Sequence, residues 1–171
     1  MKQLIQAAMM GWLMVTLLPL GALGFQQGDP APDILVENID GEPFRLYEQQ
    51  GDAFLLNLGA TWCPGCMGQS IQINKIHDYL AENNIGYIEV FHQDTEEAVR
   101  EVLANPDHLA VPEAILDDGQ VRKSYNVFMI PRILILDRDF QVVYDGGPLR
   151  APELIEYLQL ARDEVAAEGV N

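Results

Sequence analysis

Two cysteines, Cys63 and Cys66, are the only ones in this 171-residue chain, and Pro64 and Gly65 stand between them. They follow a continuous apolar run over residues 54–58, which predicts a strand buried on both faces. The segment after them shows helical periodicity. A helix start stabilises a thiolate through its free N–H groups and dipole, and a second thiol one turn later can close a disulfide. The spacing therefore indicates a site of thiol–disulfide exchange.

Two structural uses of such a cysteine pair are weaker explanations. A bridge across so short a loop constrains the unfolded chain very little, so it is a poor staple. A zinc ion would need two more ligands. The three histidines, His77, His92 and His108, are scattered without a paired spacing. We therefore expect neither a metal site nor a cofactor.

Residues 1–25 differ from the rest of the chain. Lys2 is their only charged residue, residues 7–23 are apolar apart from Thr16, and small residues stand near the end of this stretch. The pattern predicts a secretory signal peptide over residues 1–24. An uncleaved anchor remains an alternative because the apolar run approaches spanning length. In either case we expect the remainder to face an oxidising compartment.

The charge and length of the chain limit its function and organisation. Ten basic and 26 acidic side chains give a formal net charge of −16. This argues against nucleic acid or an anionic membrane as the partner surface. The Gly- and Pro-containing residues 25–32 predict a linker. Residues 33–171 are long enough for one domain with a core of its own.

The periodicity predicts alternating strands and helices. Strands are expected at residues 34–39, 42–46, 54–58, 87–91, 114–116, 133–136 and 141–144, and helices at 63–82, from Asp94, at 121–125 and from Pro152. Asp94 with Glu97 three residues later is a capping-box pattern. We therefore predict an α/β fold in which a βαβ unit, an intervening helix and a ββα unit form a central mixed sheet flanked by helices, with an N-terminal β-extension.

These motifs together resemble a known family. Residues 28–33 (GDPAPD), 55–66 (LLNLGATWCPGC) and 130–131 (IP) before a hairpin are similar to the thioredoxin fold. More narrowly, they resemble the periplasmic TlpA/ResA/CcmG-like thiol–disulfide oxidoreductases, over about residues 28–165. The resemblance implies a protein-disulfide oxidoreductase with a redox-active disulfide, located in the periplasm. It would be secreted through the signal peptide or anchored to the inner membrane facing the periplasm.

The resemblance also implies a role for each residue of the motif. Cys63 would be the nucleophile, Cys66 the resolving thiol, and Trp62 would shield the pair. Pro131 would be a cis proline lying against the disulfide, and Ile130 would offer backbone groups to an extended substrate. The alternative for Pro131 is an ordinary trans proline at the start of an edge strand.

Three residues around the motif differ from those of related proteins. Gln69 stands where many members carry an acid. Asn57 stands where cytoplasmic thioredoxins place a buried aspartate, although asparagine is common in the periplasmic group. The proton acceptor for Cys66 is therefore unassigned, with water, Glu48 or another carboxylate as alternatives. Gly59 replaces a bulky aromatic residue, so we expect a wall of the site to be open.

The function implied by the resemblance is reduction of protein disulfides, for example in cytochrome c maturation or a related supply of thiols. A membrane donor of thiol electrons would then be a partner. The alternative is a redox-inactive or weakly active module that binds a client. An oxidase of the DsbA kind needs a larger insertion than residues 93–126 provide. A peroxidase of the peroxiredoxin type needs a hydroxyl residue and a proline where Ala60 and Leu56 stand.

Overall fold

The structure is a computed structural model that describes residues 24–110 and 112–168, with side chains to residue 163. The predicted signal peptide, residues 1–24, lies outside the described residues except for Gly24. Within the described ranges, no helix combines the length and the apolar character needed to cross a membrane.

Strands and helices alternate along the described residues, as the periodicity predicted. In chain order they are β1 (Leu35–Glu37), β2 (Pro43–Arg45), a 3-10 helix (Leu46–Glu48), β3 (Ala53–Gly59), α1 (Pro64–Asn74), α2 (His77–Glu82), β4 (Ile85–His92), α3 (Glu96–Leu103), β5 (Glu113–Asp117), α4 (Gln120–Ser124), β6 (Arg132–Asp137), β7 (Val142–Gly146) and α5 (Ala151–Glu168).

One five-stranded mixed sheet dominates the fold, in the order β5-β4-β3-β6-β7. β3 runs parallel to β4 and β4 parallel to β5, whereas β6 runs antiparallel to both β3 and β7. β1 and β2 form a separate antiparallel hairpin, the expected N-terminal extension. The predicted mixed α/β sheet is confirmed.

The central strand β3 is buried along its whole length. Its alternate side chains enter two hydrophobic clusters, one on each face of the sheet, because neighbouring residues of a strand point to opposite faces. Leu56 belongs to one cluster. Leu55 belongs to the other, together with Ile73 of α1 and Leu158 of α5. Helices α1 and α5 therefore cover the face of β3 that carries Leu55, Asn57 and Gly59.

The helix after the cysteines is shorter than predicted. The pattern favoured one helix over residues 63–82, but α1 ends at Asn74 and α2 begins at His77. The Asn74 side chain donates to Asp107 O at 2.9 Å and accepts from the N–H groups of Leu109 and Ala110, each at 3.1 Å. The helix end thus holds the loop between α3 and β5 against the body of the domain.

Residues 25–32, for which composition predicted a linker, lie against the sheet edge and the turn before β7. Gly28 N donates to Val142 O at 2.8 Å, and Val142 N donates to Asp29 O at 2.9 Å. Ala31 is fully buried, and the Phe25 ring packs edge-on against Tyr125. The glycine and prolines here shape a packed segment, so the folded unit begins ahead of residue 33.

Candidate active site

The two cysteines form a disulfide at the start of α1, and their Cα atoms are 5.2 Å apart. Cys63 is the N-cap residue, and its sulfur accepts a hydrogen bond from Cys66 N at 3.2 Å. Pro64 is the first helical residue, a position where the missing N–H has no consequence. The N–H of Cys66 would stabilise a Cys63 thiolate once the disulfide is reduced.

The electrostatic surroundings of Cys63 favour a negative charge. The first turn of α1 carries no acidic side chain, and the helix N-terminus contributes a partial positive charge. Both cysteines are nonetheless largely covered, Cys63 at 8% exposure and Cys66 at 4%. Cys63 is the more accessible of the two sulfur-bearing residues.

Gly59 forms the floor beneath Cys66. A Cβ atom on Gly59 would lie 3.2 Å from Cys66 Cβ and 3.3 Å from its sulfur, which is closer than ordinary van der Waals contact. The expectation of an open wall at this position is therefore wrong. The space that a side chain would take is filled by Cys66 itself, so the Cys66 sulfur lies directly on β3.

The Ile130–Pro131 peptide bond is cis, as the resemblance implied. The Pro131 ring lies against the turn between the cysteines, where a Cβ atom on Gly65 would be 3.3 Å from Pro131 Cδ. Ile130 packs against the small cluster of Ala60, Cys63 and Cys66. The proline loop and the cysteine loop therefore form one continuous surface.

The loop between β4 and α3 holds the residues before Cys63 in place. Asp94 accepts from Thr61 N at 2.6 Å and from Thr61 Oγ1 at 2.7 Å. Trp62 Nε1 donates to Gln93 O at 3.1 Å. Asp94 was expected to cap α3, but Thr95 does so by accepting from Ala98 N. The carboxylate is instead used to fix the active-site loop.

Replacing Asp94 with alanine should loosen this loop. Thr61 would lose two hydrogen bonds to a carboxylate, and such bonds contribute about 1.5–3 kcal/mol each when charged groups take part. We expect a loss of about 2 kcal/mol in the free energy of unfolding, measured by urea denaturation. Asp139→Ala, at an exposed turn, is the control and should have little effect. Equal stability of both variants would show that the Thr61 contacts are dispensable.

Asn57 and Gln69 are both buried beside the cysteines, at 0% and 1% exposure. Gln69 Oε1 accepts from Leu149 N at 2.8 Å, which ties α1 to the segment before α5. Asn57 Nδ2 donates to Glu89 Oε1 at 2.9 Å. The two amides therefore serve as hydrogen-bonding supports in positions where the resemblance led us to look for acids.

Glu89 is a functional candidate that the sequence reasoning missed. It lies on β4 directly across from Asn57 and is almost fully buried. Burial raises its pKa from 4.5 to about 7, although hydrogen bonds from Tyr87, Asn57 and Ser70 act in the opposite direction. The signal was present: Asn57 and Glu89 are single polar residues inside two neighbouring apolar strands. Glu48, by contrast, is exposed and pairs with Arg45.

Three large apolar side chains, one next to Cys63 in sequence and two on the loop before Pro131, are exposed. Trp62, Phe128 and Met129 are 57%, 72% and 82% exposed. Phe128, Met129 and Pro131 also line a surface cavity of about 220 Å³. Within the described ranges, no three His, Cys, Asp or Glu side chains are placed to hold a metal ion. The disulfide is thus covered, and we call the exposed side chains of Trp62, Phe128 and Met129 the apolar rim.

Known proteins resemble this chain in sequence. Thiol-disulfide oxidoreductase ResA of Bacillus thuringiensis subsp. konkukian is 26% identical over 161 residues, 86% of this chain and 92% of that protein. The thioredoxin-like protein YneN of Bacillus subtilis is 29% identical over 128 residues, 74% of this chain and 75% of that protein.

Solved structures show the same fold. A thiol:disulfide interchange protein of the thioredoxin family from Chlorobium tepidum TLS has a TM-score of 0.70 at 18% identity, covering 81% of this chain and 99% of that one. A putative thiol:disulfide interchange protein DsbE from Chlorobium tepidum has a TM-score of 0.68 at 22% identity, with the same coverage.

The chain is a thioredoxin-fold thiol–disulfide oxidoreductase. Residues 27–145 match the AhpC/TSA family, and the chain belongs to that family.

Proposed function

We propose that this protein reduces disulfides of extracytoplasmic protein clients, with Cys63 as nucleophile and Cys66 as resolving thiol. The observation that carries the proposal is the Cys63–Cys66 disulfide at the start of α1, with the cis Pro131 against its turn. This arrangement stabilises a thiolate at Cys63 and leaves a second sulfur within bonding distance.

The reaction takes place in two steps. The Cys63 thiolate attacks a client disulfide, forms a mixed disulfide and releases one client sulfur as a thiolate. Cys66 then loses its proton and attacks Cys63, so the Cys63–Cys66 bond forms and the second client sulfur leaves with the electron pair. The client is reduced and the protein oxidised. A membrane dithiol donor would restore the reduced pair, because the surrounding compartment is oxidising.

The apolar rim supports a protein client. Exposed Trp62, Phe128 and Met129 offer apolar area at the edge of the disulfide, and aromatic and Met side chains are enriched where proteins bind each other. Ile130, just before the cis proline, would offer backbone groups to an extended client segment. An apocytochrome c is one client that the resemblance suggests, since it presents a pair of cysteines in a chain not yet folded around its haem.

An extracytoplasmic location rests on the leader sequence. Cleavage after Gly24 would leave Phe25 as the first residue, and the described packing contacts of Phe25 would remain, among them Phe25 N to Asp145 Oδ2 at 2.6 Å. N-terminal sequencing of the protein from its natural membrane and soluble fractions distinguishes cleavage from anchoring.

Insulin reduction in the presence of a dithiol tests the activity. The wild-type protein should accelerate turnover, Cys63→Ala should abolish the acceleration, and Cys66→Ala should trap a mixed disulfide that a thiol reductant releases. Equilibration of the Cys63–Cys66 pair with glutathione then distinguishes a reductase from an oxidase by the reduction potential. If the wild type neither accelerates turnover nor forms a mixed disulfide, a redox-inactive client-binding module is the better description.

A further inference from the structure

We propose that Glu89 is the residue that takes the proton from Cys66 in the resolving step and returns it when the pair is reduced again. Glu89 does not touch the sulfurs. The proton would therefore reach it through polar groups that lie between Cys66 and the Glu89 carboxylate. The inference rests on the exchange reaction proposed above, and its test separates the two.

The first argument is the position of Glu89 relative to Cys66. Gly59 lies directly beneath the Cys66 sulfur, with its Cβ position 3.3 Å away. Asn57 is on the same face of β3, two residues or about 7 Å earlier along the strand, and Glu89 is its partner across the parallel ladder. The carboxylate therefore lies one residue position beyond the floor of the resolving cysteine, on the sheet face that α1 covers.

The second argument is the chain of polar groups between the carboxylate and α1. Asn57 Nδ2 donates to Glu89 Oε1 at 2.9 Å. The Ser70 hydroxyl lies 3.4 Å from the same oxygen and 3.2 Å from Cys66 O. Asn57 Oδ1 and Gln69 Nε2 are buried without a hydrogen-bond partner among the described residues. Water is the usual partner of such atoms, and one water here would extend the chain toward the Cys66 sulfur.

The third argument is a route from Glu89 to the outside. His108, on the loop that Asn74 holds, places Nε2 3.9 Å from Glu89 Oε2. His108 also lines a surface cavity of about 300 Å³. Burial lowers the pKa of His108, so its imidazole is neutral at pH 7 and passes a proton on without retaining it. A proton on Glu89 can thus exchange with solvent without passing the bound client.

The groups that face Glu89 suit a carboxylate that changes protonation near pH 7. They are Tyr87 on β4, whose hydroxyl donates to Oε2 at 2.8 Å, Asn57 on β3, Ser70 on α1, and His108 on the loop. No lysine or arginine is within ion-pair distance of Glu89 among the described residues. The raised pKa of Glu89, about 7, matches the requirement that an acid–base group titrate near the working pH.

The resolving step moves one proton from Cys66 to Glu89. The S–H bond of Cys66 breaks and its proton passes through the polar chain to the Glu89 carboxylate. The Cys66 sulfur bonds to Cys63, the bond from Cys63 to the client breaks, and the client thiolate leaves and takes a proton from water. During reduction of the pair, Glu89 gives a proton back to Cys66 as it becomes a thiol.

The test follows the mixed disulfide directly. The reduced full-length protein is mixed with oxidised glutathione, samples are quenched with acid at intervals, and mass spectrometry measures the fraction carrying glutathione. In the wild type, the decay rate should rise with pH through about 7. In Glu89→Gln, the mixed disulfide should persist about tenfold longer or more at pH 7, without that rise. The rate at which Cys63 forms it should change little.

Two further variants separate a proton role from a structural one. Tyr87→Phe keeps the carboxylate but removes a donor that lowers its pKa, so the rise in decay rate should move to higher pH. Glu97→Gln removes an exposed carboxylate on α3 and should leave the profile unchanged. An unchanged profile in Glu89→Gln and Tyr87→Phe would overturn the role of Glu89 and leave exchange at Cys63 intact. Failure of the wild type to form any mixed disulfide would overturn the exchange reaction itself.

Discussion

Replacing Asp145 with alanine should lower the free energy of unfolding by about 3–5 kcal/mol, the loss observed when one partner of a buried ion pair is removed. Asp145 binds Arg132 through two parallel hydrogen bonds, Nε to Oδ1 and Nη2 to Oδ2, each at 2.6 Å. The side chains of Arg132 and Asp145 are only 10% and 2% exposed. The variant would therefore leave a guanidinium buried beside carbonyl groups without its counter-charge.

The Asp145→Ala substitution should also weaken the capture of clients at the active site. Arg132 directly follows Pro131, and its Nη1 donates to the carbonyl oxygens of Tyr125 and Asn126. The ion pair thus connects the start of β6 with the loop that carries exposed Phe128 and Met129. We expect weaker client capture by Asp145→Ala, measured as the yield of mixed disulfide in the Cys66→Ala background, at a temperature where the protein is still folded.

Two controls show whether the burial of the Arg132–Asp145 pair causes the expected loss of stability. The double variant Arg132→Met with Asp145→Leu removes both charges, and it should be more stable than Asp145→Ala alone because no charge is left buried without a partner. Asp52→Ala breaks the exposed pair with Arg138 and should change stability far less. A loss below about 1 kcal/mol in Asp145→Ala would mean that water solvates the remaining guanidinium.

The parts of the site that depend on adjacent residues could be predicted from the sequence. The apolar run of residues 54–58 identified β3, and the cysteine pair after it identified the start of α1, because both patterns depend on adjacent residues. The cis bond at Pro131 followed from the resemblance alone. Nothing in the residues next to Pro131 distinguishes a cis bond from an ordinary trans proline before a strand.

Other features depend on contacts between distant parts of the chain. α1 ends at Asn74 where the side chain of Asn74 binds residues 107–110, which local periodicity does not reveal. Asp94 and Thr95 are both good cap residues, and the contact of Asp94 with Thr61 decides which one caps α3. Residues 25–32 have the composition of a linker, yet hydrogen bonds to residues 140–142 pack them on the fold.

The pairing of Asn57 with Glu89 could be predicted from the sequence only in part. Each residue stands out in sequence as a polar interruption of an apolar strand, and parallel neighbours were predicted. The register that places them opposite each other comes only from the structure. With that register, a carboxylate on the strand next to β3 lies within hydrogen-bond distance of Asn57.

Replacing Glu89 with glutamine should stabilise the oxidised protein, and the gain should grow with pH. The folded pKa of Glu89 is about 7, above the value of 4.5 for an exposed glutamate. Below pH 4.5 the carboxyl is neutral in both states, so burial of its charge costs nothing. Between pH 4.5 and 7 the unfolded chain releases this proton while the folded protein keeps it, so the stability of the wild type falls as pH rises. Above pH 7 both states are ionised and the loss is complete.

The expected gain in the free energy of unfolding follows from the separation between the folded and unfolded pKa values of Glu89. One pH unit of separation corresponds to about 1.4 kcal/mol, so 4.5 and about 7 give a difference of about 3 kcal/mol. Urea denaturation of both proteins at pH 4.5, 6 and 8 measures it, with Glu97→Gln as the control for loss of one exposed charge. Glutamine keeps the shape of the side chain and can still bind Asn57 and Tyr87. A stability difference independent of pH would therefore mean that the pKa of Glu89 is the same in the folded and the unfolded protein, too low for Glu89 to hold a proton from Cys66 near pH 7.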